Sequence, residues 1–322
     1  MSAPARLLRR LCAALAAAAL GLAASPVGAR ADAAPEIRLE KRAVGQGAAA
    51  RRWWLERARP AEGAPPAPAP VLVALHDAGG SASDLRRTAR FSLARRGWLV
   101  VYPEAAGPER AWNVGRKTAA GLARKGADDV GFIAAIVAAL RDEGLADPSR
   151  LFLAGMGEGG LMALRLTCAP GPVWRGAAAV MGGWPPDLVC DQGRPTPVLL
   201  FNASLDPVQP LHGGRAPPGL RAGSGAAASV ARTAANIGAR NGCAGFETRF
   251  LPAPPPLRVE LRAHRCATPF EQVIIHGAGR RWPGAPEPAD ARARGLGPPA
   301  PVPDATAMIE AMFLSLANQG RP

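Results

Sequence analysis

The sequence predicts an α/β protein with a mainly parallel central sheet covered by helices on both faces. Three observations carry this. Short apolar runs, "VLVALHDAGGS" (Val71–Ser81), "WLVVYP" (Trp98–Pro103) and "RLFLAG" (Arg150–Gly155), end in polar or Gly-rich turns, as strands buried on both faces do. Segments of helical character alternate with them, which means right-handed β-α-β units. One run, "LFLAGMGEGGLMALRL" (Leu151–Leu166), passes from strand to helix through a tight Gly-rich turn.

In chain order, "ARRWWLERARP" (Ala50–Pro60) has aromatic strand formers followed by a breaker and reads as an early strand. The Pro-rich tract Ala61–Pro70 is a loop, and "SDLRRTARFSLARRG" (Ser83–Gly97) is an amphipathic helix. "DDVGFIAAIVAALRDEG" (Asp128–Gly144) starts a helix with carboxylates at its positive end. "EGGLMALRLTC" (Glu158–Cys168) is the helix after the Gly-rich turn, and "GAAAVMGG" (Gly176–Gly183) and "TPVLLFNASLDP" (Thr196–Pro207) are two more strands. A helix at Ser229–Cys243, a late strand at Phe270–Gly279 and a closing helix at Asp304–Gln319 complete the pattern. No repeat or domain linker interrupts it, so residues 32–322 read as one domain.

Residues 1–31 read as a secretory signal peptide. Arg6, Arg9 and Arg10 form a basic start, Leu11–Ala24 is a short apolar run, and "ARA" (Ala29–Ala31) is a small-x-small cleavage pattern. The apolar run falls short of the ~20 residues that a membrane span needs. Cleavage would leave 291 of 322 residues, and the loss of four arginines lowers the formal net charge from +14 to +10. The remaining arginines are scattered through an Ala/Pro/Gly-rich chain, so the charge does not point to a nucleic-acid partner. Cys12 leaves with the leader. Cys168, Cys190, Cys243 and Cys266 are an even set in an exported chain; three pairings are open, and joining neighbours in sequence favours Cys168–Cys190 and Cys243–Cys266. No spacing suggests a metal site or a cofactor. The expected location is the periplasm or the exterior.

The strand-turn-helix layout is that of a nucleophile elbow, G-x-S-x-G, but its central position is Gly157. Around it, "VALHDAGGSASD", "VVYPEA", "DDVGFI", "LAGMGEGGLMALRL", "LDPVQPLHGG", "ARNGC" and "GAGRRWPG" stand in the order and spacing of a known group. Over Val71–Pro283 the chain resembles secreted α/β-hydrolase esterases of the polyhydroxybutyrate depolymerase and feruloyl esterase-like family. The resemblance implies an α/β-hydrolase fold and a serine, aspartate, histidine triad in that chain order. It places the nucleophile at Gly157, the acid at Asp206 and the base at Arg280. It implies oxyanion-hole amides from the loop His76–Asp77–Ala78 and from Glu158, with Asp77 where the family has glycine. Trp282 would line the pocket beside Arg280.

Two of the three triad members are therefore absent. A guanidinium has no lone pair free to take a serine's proton, so Arg280 cannot act as the base. Glycine at a strained elbow relieves backbone strain, and Arg280 near Asp206 would form a charge-assisted pair. The leading expectation is an exported protein without serine-esterase activity that binds a carboxylate or ester ligand in a cleft made cationic and aromatic by Arg280, Arg281 and Trp282. One alternative is an active esterase with a rearranged site drawn from Ser81, Ser83, Ser204 and His276. His76, His212 and His264 read as structural or exposed. A second alternative is a non-catalytic interaction protein of the cell envelope.

Overall fold

Among the described residues ten strands form one sheet in the computed structural model. They are β1 (Ile37–Val44), β2 (Arg51–Ala58), β3 (Ala69–Leu75), β4 (Leu99–Pro103), β5 (Ala146–Met156), β6 (Gly176–Val180), β7 (Val198–Ala203), β8 (Cys243–Leu251), β9 (Arg258–Cys266) and β10 (Phe270–His276). The helices are α1 (Ala82–Ala89), α2 (Asp129–Asp142), α3 (Glu158–Leu166), α4 (Val230–Asn241) and α5 (Ala305–Asn318). The structure describes residues 34–45, 47, 50–60, 63, 67–115, 127–191, 193–218, 220, 226–286 and 295–319. The expected signal peptide and part of the Pro-rich Ala61–Pro70 tract lie outside the described residues.

The strand order is β1-β2-β4-β3-β5-β6-β7-β10-β9-β8. Pairing is parallel through the centre, from β4 across β3, β5, β6 and β7 to β10. It is antiparallel at both ends, where β1 and β2 flank one side and β9 and β8 the other. The sheet is thus mixed, with the parallel core that the apolar runs predict. The pleat sorts the core into two layers. Leu72, Phe152, Ala154, Val180 and Phe201 face α1 and α5, meeting Leu85, Ile309 and Phe313. Val71, Val73, Leu151 and Leu153 face α2 and α3, meeting Ile133, Ile136 and Met162. Val198 and Leu200 continue that second face toward Ile237 of α4.

Three strands were not expected. β1 and β8 are edge strands whose residues are partly or fully exposed, and β9 carries alternating charges, so none shows a continuous apolar run. The amphipathic stretch Ser83–Gly97 is not one helix either. α1 stops at Arg90, whose backbone is left-handed at φ 50° and whose N–H caps Arg86, and Leu93–Arg96 adds a separate 3-10 turn. Both disulfides pair as expected, Cys168 with Cys190 and Cys243 with Cys266.

Candidate active site

The Gly-rich turn sits where β5 hands over to α3, at the C-terminal ends of the parallel strands, where open α/β sheets place their sites. Gly157 has φ 56° and ψ −117° and donates its N–H to the Val180 carbonyl at 2.8 Å. This left-handed conformation is costly for any residue with a Cβ. Gly159, two residues on, allows α3 to cross β3, because a Cβ there would overlap the Leu75 and His76 carbonyl groups.

Four chain segments converge above this turn. Asp77 follows β3, Asp206 follows β7, Arg280 follows β10, and Glu158 opens α3. Asp77 Oδ1 accepts two backbone N–H groups, from Ala78 at 2.9 Å and from Glu158 at 2.9 Å. The Arg280 guanidinium then clamps the same carboxylate. Nε donates to Asp77 Oδ2 at 3.0 Å, and Nη2 donates to Oδ2 at 2.8 Å and to Oδ1 at 3.0 Å. On its other side Nη1 donates to Asp206 Oδ2 at 3.1 Å and to the Met181 carbonyl at 3.0 Å. Asp206 is itself anchored, since its Oδ1 accepts from Val208 N–H at 2.8 Å and Gln209 N–H at 3.0 Å.

The result is a buried carboxylate–guanidinium–carboxylate bridge. Side-chain exposure is 5% for Arg280, 1% for Asp206 and 22% for Asp77. Burial alone would lower the arginine's pKa, but the Asp77 and Asp206 charges outweigh it and hold the guanidinium above its usual range. The bridge also fills the turn: a Cβ built on Gly157 would overlap Arg280 Nη2 and Asp77 Oδ1. Two amides that meet one oxygen at 2.9 Å have the geometry that holds an oxyanion, and here a side chain of the same protein supplies that oxygen.

The neighbours of the bridge are occupied as well. His76 is buried; its Nδ1 lies 2.7 Å from the Asp77 carbonyl and its Nε2 accepts the Ala105 N–H at 3.1 Å. Those partners require a neutral ring with its proton on Nδ1. Burial lowers the ring's pKa, against smaller opposing effects of the Asp77 carbonyl and the Glu104, Asp77 and Asp84 charges. Glu158 is buried and accepts the Trp112 N–H at 2.8 Å.

The cationic, aromatic cleft expected from Arg280, Arg281 and Trp282 is not formed. Arg280 is enclosed between two carboxylates, and Arg281 is buried with Nη1 on the Arg280 carbonyl. Trp282 turns into the core, edge-on to Phe91, with its Nε1 donating to Thr306 Oγ1 at 2.9 Å. The residues considered for a rearranged site are dispersed. Ser81 caps α1 and donates to Asp84, and Ser83 is bonded to Ser81. Ser204 Oγ accepts the Gly277 N–H, and His276 pairs with Glu260 at 3.0 Å. His212 is exposed, and His264 stacks on Phe270 at 4.1 Å. No serine hydroxyl bonds to a histidine among the described residues, and no group of three or more His, Cys, Asp or Glu side chains there could hold a metal ion.

Sequence reasoning anticipated the pairing of Arg280 with Asp206 but not the tighter clamp on Asp77. The signal was present: an aspartate and an arginine of opposite charge, each in a Gly-rich loop that follows an apolar strand, "LHDAGG" and "GAGRRWPG". The role of the Met181 carbonyl left no trace in the sequence.

An esterase-named protein, NocK of Nocardia uniformis subsp. tsuyamanensis, is 30% identical over 241 residues, which are 70% of this chain and 70% of the relative. The profile of the dienelactone hydrolase family matches residues 58–213. The chain belongs to the dienelactone hydrolase family. Feruloyl esterase B of Piromyces equi is 32% identical over 155 residues, which are 45% of this chain but only 28% of that enzyme. Among solved structures, the acetyl xylan esterase of Aspergillus awamori superposes with a TM-score of 0.52 at 14% identity, over 76% of this chain and 94% of the other. That likeness speaks for the shared α/β-hydrolase fold.

Proposed function

We propose that this member of the dienelactone hydrolase family is an exported protein of the polyhydroxybutyrate depolymerase and feruloyl esterase branch that does not hydrolyse esters. The observation that carries the reading is the Asp77–Arg280–Asp206 bridge lying directly on Gly157. In this reading Gly157 stands at the nucleophile position, Arg280 at the base position and Asp206 at the retained acid position. The Ala78 and Glu158 amides stand at the oxyanion hole.

Each part then lacks what acyl transfer needs. Gly157 offers no nucleophile, and Arg280 cannot take or return a proton at neutral pH. A substrate carbonyl would have to displace a charged carboxylate before reaching the two amides. Within the bridge the buried guanidinium faces two carboxylates and its donors are satisfied, so no unpaired cation is left in the site. Any ester or carboxylate ligand of this site is therefore a competitor of Asp77, not a guest in an open cleft. Two disulfides and the leader-like start of the sequence support export.

Hydrolysis of p-nitrophenyl butyrate and labelling by a fluorophosphonate probe test this directly. Inertness in both is expected. A covalent adduct on any serine would end the reading and favour a rearranged nucleophile.

A further inference from the structure

At one end of the sheet β8 pairs with β9 and has no strand on its other side among the described residues. Residues 246–250 of this edge are all exposed, and they read Phe-Glu-Thr-Arg-Phe. Phe246 and Phe250 are 47% and 59% exposed, two of the few large apolar side chains left in water among the described residues. Natural edge strands carry charge to prevent pairing with other chains. Here the charges Glu247 and Arg249 are opposite in sign and symmetric about Thr248.

We propose that two copies of this chain associate through β8, antiparallel about a two-fold axis at Thr248, joining their sheets edge to edge. The inference is independent of the proposed function. In that register Glu247 of each copy lies opposite Arg249 of the other, and Phe246 lies opposite Phe250, so each favourable pair occurs twice. Centring the axis one residue earlier or later would place Glu247 on Glu247, or Arg249 on Arg249. The charge pattern therefore selects one register and one partner, a second copy.

The surroundings fit this placement. On the aromatic face Arg262 of β9 lies over the Phe246 ring at 5.0 Å and Arg258 over the Phe250 ring at 5.4 Å, so each ring is backed by a cation from the neighbouring strand. On the other face Glu247 has a loose contact with Arg265 at 4.0 Å, both about two-thirds exposed or more, which leaves the carboxylate free to turn to a closer cation.

Sedimentation equilibrium over about a hundredfold concentration range around micromolar tests the proposal. The wild-type chain is expected to dimerise. Glu247→Arg alone, or Arg249→Glu alone, puts two like-charge pairs at the axis and should weaken the dimer by about tenfold or more. Combining both substitutions in one chain should restore the dimer, and mixing the two single variants should give a heterodimer. These side chains are exposed, so unchanged thermal unfolding of the diluted variants serves as the folding control. A wild-type monomer throughout, a dimer indifferent to the single reversals, or no rescue by the double variant would each overturn the proposal.

Discussion

Arg280 and Asp77, 203 residues apart in sequence, meet side-on: Nε donates to Asp77 Oδ2 at 3.0 Å and Nη2 donates to Oδ1 at 3.0 Å. A bidentate arrangement of this kind is the strongest form of charged hydrogen bond available to side chains. Its position above Gly157 makes it the feature against which changes at this site are judged.

Removing the arginine should be costly. Arg280→Met would leave two carboxylates facing each other in a buried space with no counter-charge, a loss of about 3–5 kcal/mol. Adding Asp77→Gly should recover much of that loss, because it removes one of the stranded charges. Chemical denaturation of both single variants and the double variant gives the coupling energy. Independent, additive effects would mean that the pair seen in the structure carries little energy.

Asp77→Gly on its own empties the position between the Ala78 and Glu158 amides while keeping Arg280. Two N–H donors and a guanidinium then surround a vacant carboxylate position. Acetate or hydroxybutyrate should bind there and raise the variant's melting temperature, with no comparable shift in wild type. Equal shifts in both proteins would place carboxylate binding elsewhere.

Placing a hydroxyl at Gly157 alone should not give hydrolysis. Gly157→Ser puts a Cβ at φ 56°, a strain of about 1–3 kcal/mol, and into the space of Arg280 Nη2 and Asp77 Oδ1. The single variant should be less stable and inert toward p-nitrophenyl butyrate. Gly157→Ser with Arg280→His and Asp77→Gly clears both overlaps and should give measurable hydrolysis. Inertness of a well-folded triple variant would show that Asp206 does not support a triad at this turn.

His76 makes stability depend on pH. Burial lowers its pKa in the folded protein, so the unfolded chain binds more protons below the ordinary histidine value of about 6.5. Its contribution is complete above that value and declines as pH falls toward the folded pKa, where protonation breaks the Nε2 bond to Ala105 N–H. His76→Gln can keep one donor and one acceptor without titrating. Melting temperatures measured from pH 7 to pH 5 should fall less in the variant than in wild type; parallel falls would assign the effect to other groups.

The disulfides should matter comparably, since they span similar lengths of chain, with sequence separations of 22 and 23. Cys190→Ala or Cys266→Ala should each cost about 3 kcal/mol, mainly by releasing the unfolded chain. Urea midpoints under oxidising conditions measure this, and a change below the scatter between replicates would refute it.

The sequence by itself determined the parallel centre of the sheet, the order of the helices and the strand-turn-helix at Gly157, and it favoured the cysteine pairing that the structure shows. Those features are written in local patterns: apolar runs, caps, Gly turns and residue identity at one position. The edges were less legible, because β1 and β8 are half in water and carry no apolar signature, and their pairing is set by neighbours distant in the chain. What only the tertiary structure decided is how Asp77 and Arg280 are used. Sequence marked both as charges in Gly-rich loops, but two loops at the ends of β3 and β10 had to meet before a carboxylate could fill the gap between two backbone amides. Tertiary packing likewise took Trp282 out of the cleft and into the core, since an indole's burial depends on which face its loop turns toward, and no local pattern encodes that.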